Sequence, residues 1–132
     1  MPDSDISSPP PFITGLVAWA RAVGATSTLT LTYTPPAAVG SYLLVCYVNL
    51  TAVTTSLQQS LSFTSEDGTA HAGTKPPATA VGVTGLFTDL TAVHLYSIVL
   101  PFLTDSSAST ITFSLIPTAA TFGADVRLYR TG

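Results

Sequence analysis

The chain has 132 residues, of which 46% are hydrophobic and only 8% charged, where an average soluble domain carries about 25% charged residues. A formal net charge of -3, with Arg21, Lys75, Arg127 and Arg130 as the only basic residues, excludes the clustered Lys and Arg that hold a phosphate backbone and disfavours anionic lipid surfaces. The longest apolar run, 42–48, is seven residues against the roughly 20 that cross a bilayer as a helix, so neither nucleic acid nor a membrane is an expected partner.

The length suits one core and therefore one domain. Residues 1–14 form a separate block in which Pro9, Pro10 and Pro11 precede Phe12 and Ile13. Consecutive prolines favour extended polyproline geometry, and the two apolar residues after them are anchors that a solvated tail does not need. This block is expected to be an extended arm making assembly contacts, with the domain body over 15–132. Its acidic start, lacking Lys or Arg before an apolar stretch, does not read as an export signal.

From Gly15 onward the apolar positions recur with period two, the pattern of half-buried strands. In 15–23, Val17, Trp19, Arg21 and Val23 share one parity and Leu16, Ala18, Ala20 and Ala22 the other. In 26–34, Leu29, Leu31 and Tyr33 alternate with Thr28, Thr30, Thr32 and Thr34. The segment 42–50 is apolar on both faces, as expected of a strand buried centrally or at an interface. Segment 57–64 alternates again through Leu57, Leu61 and Phe63, and 80–87 adds a further strand. The 93–100 stretch resembles 42–50, 110–116 sets Ile111, Phe113 and Leu115 against Thr110, Thr112 and Ser114, and 125–130 completes the set. Breaks fall at Pro35-Pro36, Asp67-Gly68, Pro76-Pro77, Pro101, 105–109 and 117–123. About eight strands and no helix predict an all-β fold, a single β-sandwich of jelly-roll-like form.

Chemistry is sparse. A nucleophile or metal needs a base nearby, and the chain offers two His and seven carboxylates. His94 lies within an apolar strand and is expected to be structural. His71 sits in the longest irregular stretch, 65–79, with Glu66, Asp67 and Lys75, and loops of that length often carry function. Glu66-Asp67-Gly68 falls short of the six to eight oxygens of a calcium site and reads first as a turn. No Cys pair, phosphate-cradling loop or nucleophile elbow occurs, so no cofactor, no metal and no catalysis are expected. The lone Cys46, between Val45 and Tyr47, is expected to be a buried, inert thiol. Trp19, Tyr33, Tyr42, Tyr47, Tyr96 and Tyr129 occupy strand positions with apolar parity partners, which favours core or subunit interface over a sugar platform. Only Asn49, Gln58 and Gln59 supply amides.

Strand faces of Thr, Ser and Ala in place of Lys and Glu leave sheet edges unguarded, a hazard removed by burial in an assembly. The run from Thr30 to Tyr42, through Tyr33-Thr34-Pro35-Pro36 and Gly40, followed by Val45, Tyr47, Val48 and then by 62–70 with Glu66-Asp67-Gly68, resembles small virion proteins of tailed bacteriophages. The likeness spans about 40 residues. It implies a capsid decoration or tail-associated subunit without catalytic residues, assembled in the host cytoplasm into the virion. The expected partners are copies of the chain itself, a trimer first, and the major capsid or tail protein as scaffold. The alternative is a receptor- or glycan-binding module of a tail fibre or adhesin, with Glu66, Asp67, His71 and Lys75 forming the ligand loop.

Overall fold

The computed structural model describes residues 15–65, 68–73 and 89–132. The expected arm, with Pro9, Pro10, Pro11, Phe12 and Ile13, lies outside the described residues, as do the strand expected over 80–87 and the residues Glu66, Asp67 and Lys75. Six strands are present among the described residues: β1 (Leu16–Ala25), β2 (Leu29–Tyr33), β3 (Gly40–Thr64), β4 (Ala70–Gly73), β5 (His94–Thr104) and β6 (Ile111–Arg130). All pairings are antiparallel.

Two strands are unusually long, β3 at 25 residues and β6 at 20, and they pair with each other over almost their whole length. Their outer neighbours change midway. The first half of β3 lies between β5 and the second half of β6, which β1 borders on its far side. The second half of β3 lies between β4 and the first half of β6, which β2 borders. Among the described residues the one continuous six-stranded sheet thus divides into two four-stranded layers, β1-β6-β3-β5 and β2-β6-β3-β4, sharing both long strands.

The switch between layers is made by irregularities in the β3–β6 ladder between Leu50 and Ala52 and between Val53 and Ser56. Ala119, with φ 50, sits opposite this region in β6. Such extra residues bend a strand and shift its parity. The shift is visible in the burial: Tyr42, Leu44, Cys46, Val48 and Leu50 point inward before the bend, and Leu57, Gln59, Leu61 and Phe63 after it. In β6 the inward set changes from Ile111, Phe113 and Leu115 to Phe122, Ala124, Val126 and Leu128. Both layers thus turn their apolar faces to one core. Ring contacts cross it, Phe63 to Phe102 at 4.6 Å and Tyr33 to Tyr42 at 6.0 Å.

These features correct several expectations. The segments 42–50 and 57–64 are one strand, and the break foreseen over 117–123 is the continuation of β6, with Pro117 placed at the bend opposite Leu57. β5 runs through Pro101. A proline is tolerated there because β5 borders only β3 among the described strands, so a missing N–H can face outward. β5 is accordingly not central, and Leu95, Val99 and Leu103 on its outer face are exposed.

At one end of the core Tyr42 is fully buried, receiving a hydrogen bond from Arg130 Nη1 at 3.1 Å while the guanidinium lies 5.6 Å from its ring. Burial raises the phenol's pKa, and Arg130 opposes the shift. Gly40 permits this packing, since a Cβ there would come within 2.8 Å of the Tyr42 ring.

Candidate functional site

Alternation leaves each layer with an outer face, and the two differ in chemistry. The outer face of β2-β6-β3-β4 carries short hydroxyl side chains, joined in cross-strand pairs such as Thr30 to Ser114 and Thr34 to Thr110, each at 3.1 Å. The outer face of β1-β6-β3-β5 gathers larger and more varied groups.

Register places these groups in rows across the strands. Arg21, Asp125, Tyr47 and Ser97 form one row, and Trp19, Arg127, Val45 and Val99 the next. On the other side of the first row, Gly123, Asn49 and Leu95 align. Neighbouring strands stand about 4.8 Å apart, so each row is a nearly continuous strip. The small Ala18, Ala20 and Ala22 on the opposite parity of β1 pack towards the core, which explains why their partners Trp19, Arg21 and Val23 are presented outward.

Tyr47, 57% exposed, stands between two hollows. The first, of about 350 Å³, has Arg21, Asn49, Tyr96 and Asp125 on its walls and Gly123 among its lining residues. Gly123 has no side chain to fill the space between Asn49 and Val23, which deepens the hollow. The second, of about 370 Å³, lies among Leu43, Val45, Tyr129 and Thr131, with Arg127 and Tyr47 between it and the first. An exposed aromatic ring flanked by a carboxylate, an amide and guanidinium groups offers a stacking surface beside both hydrogen-bond donors and acceptors.

The charged groups are already partly engaged. Asp125 accepts hydrogen bonds from Arg127 Nε at 2.9 Å and Nη2 at 3.3 Å, a two-pronged pairing. That contact, followed by a hydrogen bond with Tyr129, raises the Arg127 pKa further. The same guanidinium lies 6.0 Å from the centre of the Trp19 ring, so it covers part of that ring. Tyr47 has no such cation over its ring among the described residues, and the two aromatics are about equally exposed. The Arg21 side chain, next to Asp125 across the β1–β6 ladder, has no hydrogen-bond or ion-pair partner among the described residues.

The residues singled out in the sequence are distributed differently from this site. His71 lies in β4 opposite Phe63, on the other layer. His94, expected to be a buried structural residue, is exposed at the start of β5, where Nδ1 accepts a hydrogen bond from the Leu95 N–H at 2.8 Å. Gln59 is buried and donates to Leu57 O at 2.9 Å, which removes its amide from any ligand. Of the amides only Asn49 reaches the hollows. Of the aromatics assigned to core or subunit interface, Tyr42 lies in the core, and Trp19 and Tyr47 are 56% and 57% exposed on one face. Cys46 is buried as expected, and burial pushes its thiol up to about 12, aided by Asp125. Among the described residues no group of three or more His, Cys, Asp or Glu could hold a metal ion. No helix is long and apolar enough to cross a membrane among those residues.

No family model matches the sequence, and no curated protein matches it. Among solved structures the chain is similar to one described as CBM4, with a TM-score of 0.50 at 12% identity, covering 89% of this chain and 79% of that one. It is also similar to family 16 carbohydrate-binding module 2, at 16% identity and a TM-score of 0.46 over 82% of this chain and 73% of that one. A further likeness is to the CBM22-1-GH10 modules of Clostridium thermocellum endo-1,4-beta-D-xylanase 10B complexed with xylohexaose, with 14% identity and a TM-score of 0.46. That match covers 86% of this chain, which spans 26% of the xylanase chain. At 12% identity and a TM-score of 0.50, what the chain shares with the CBM4 structure is the fold, an antiparallel all-β sandwich.

Proposed function

We propose that the chain is a non-enzymatic glycan-binding module whose ligand lies on the outer face of β1-β6-β3-β5, against Tyr47. The observation that carries this reading is the exposed Tyr47 ring between two hollows, one of them walled by Arg21, Asn49 and Asp125. Sugars present an apolar ring face edged with hydroxyls, and this site pairs a flat aromatic surface with groups that donate to and accept from hydroxyls. The fold shared with a structure described as CBM4 supports the reading at the level of architecture. The reading includes a jelly-roll arrangement: counted as halves, β3 and β6 contribute four segments to a total of eight that are divided evenly between the two layers. A glycan array probed with the protein and with Tyr47→Ala tests it. At least one glycan should bind and lose tenfold or more in affinity in the variant, about 1.4 kcal/mol; binding that ignores Tyr47 refutes the placement.

A second reading, a structural subunit of a bacteriophage particle, draws on the exposed Leu95, Val99 and Leu103 of β5. Aliphatic side chains on a strand bordered on one side only among the described residues suit packing between copies. Light scattering over a range of concentrations decides: a stable trimer supports that reading, and a monomer throughout removes its basis.

A further inference from the structure

We propose that the site selects an acidic glycan, with the anionic group held by Arg21 and a neighbouring sugar ring lying on Tyr47; this rests on the glycan-binding reading above. The argument begins with charge. Of only four basic residues in a chain of net charge -3, two, Arg21 and Arg127, stand on this one face, and Asp125 is its only acidic group among the described residues. The face is therefore locally positive on an acidic protein.

The two arginines are not equivalent. Arg127 is held on Asp125 by two hydrogen bonds and leans over Trp19, so its planar fork is occupied. With both carboxylate oxygens of Asp125 turned to Arg127, Arg21 is left beside the 350 Å³ hollow with five donors and no partner among the described residues. A guanidinium fork matches a carboxylate or sulfate in two parallel hydrogen bonds and gains roughly twice what neutral donors do. A neutral sugar would make no use of that charge. Arg21 and Tyr47 stand on either side of β6 in one row, so their backbones are about 10 Å apart at the strand spacing, far enough that the group on Arg21 and the ring on Tyr47 are different parts of one extended ligand.

A uronate carboxylate and a sulfate ester both supply such an anion, and the experiment separates these. The full chain is run through native gels containing polygalacturonate, alginate, dextran sulfate, or the uncharged xylan and mixed-linkage glucan, together with Arg21→Gln and Tyr47→Ala. The expected result is retardation in at least one charged gel and a loss of tenfold or more in apparent affinity for each variant, with added salt weakening the wild-type interaction. Retardation in the carboxylated gels alone assigns a uronate, and in dextran sulfate alone a sulfate ester. Retardation by uncharged glycans that Arg21→Gln leaves unchanged overturns the acidic preference and keeps the glycan-binding reading. Charged-gel retardation that persists in Tyr47→Ala is ion exchange and overturns the inference, and no retardation in any gel overturns both.

Discussion

Substituting Gly123 by Ala separates the stability of the sheet from the use made of its outer face. Gly123 sits inside β6, and its φ lies outside the left-handed range, so an L-residue fits the backbone there without strain. A Cβ built at this position would meet Ala22 O at 3.4 Å and Val23 Cα at 3.9 Å, both ordinary contacts. Gly in a strand interior loses more backbone freedom on folding than Ala, and a compatible Gly→Ala change stabilises by about 0.4–1 kcal/mol. With about 2.1 cal/mol/K of unfolding entropy per residue, a domain of this size gains about 4 °C in Tm per kcal/mol, so Tm should rise by about 2–4 °C. The methyl group, however, enters the hollow beside Tyr47 and Asn49, so glycan affinity should fall, and should fall further in Gly123→Leu. Thermal melting followed by circular dichroism reads the first effect and the affinity gels the second. A lower Tm would refute the account of the backbone at Gly123; a higher Tm with undiminished binding by Gly123→Leu would refute the location of the site.

Two further outcomes follow from the core. Phe102→Ala removes a buried ring that lies 4.6 Å from Phe63 and 5.8 Å from Tyr42, so it should cost about 3–5 kcal/mol in chemical denaturation; a loss under 1 kcal/mol would show that the two layers are not joined through these rings. Alkaline pH should destabilise the protein. The Cys46 thiol, ordinarily at 9.0, is pushed up to about 12 by burial, so the unfolded chain releases a proton in this window that the folded chain keeps. Stability is then fully retained below pH 9 and declines as pH rises towards 12, by about 1.4 kcal/mol per unit from this group. Denaturation midpoints measured from pH 8 to 10.5 should fall less steeply in Cys46→Ala than in the wild type, and identical slopes would refute the assignment to Cys46.

Much of the architecture is legible in the sequence because alternation reports burial directly. Leu29-Thr30-Leu31-Thr32-Tyr33 and Ile111-Thr112-Phe113-Ser114-Leu115 are written with period two, and they form paired strands with the hydroxyl residues outward. The bends are not legible. Through 51–56, Thr-Ala-Val-Thr-Thr-Ser carries no alternation because the ladder irregularities there break the period, and so one strand of 25 residues reads as two. The run 117–123 misleads for the same reason, its Pro and Ala serving the bend of β6.

The site was hidden by a different ambiguity. An aromatic residue in an apolar strand has the same sequence signature whether it enters the core or faces outward beside Val and Leu, and Tyr42 and Tyr47 differ only in parity. The parity that buries Tyr42, Leu44, Cys46, Val48 and Leu50 necessarily exposes Tyr47 and Asn49, and that of 120–128 turns the half-buried Gly123, Asp125 and Arg127 outward. Neither strand alone shows a cluster. It arises only when β6 is laid beside β3 with Asp125 opposite Tyr47 and Gly123 opposite Asn49, and β1 beside β6 with Arg21 opposite Asp125. The residues are distant in the chain, and their chemistry depends on antiparallel register, since a slip by one residue would turn the charged side chains of β6 into the core. The alternation of Trp19, Arg21 and Val23 with Ala18, Ala20 and Ala22 carried the one local signal: small residues on the covered parity and large ones on the other. In this fold the residues that pack the sandwich thereby also determine which groups meet on its outer surface.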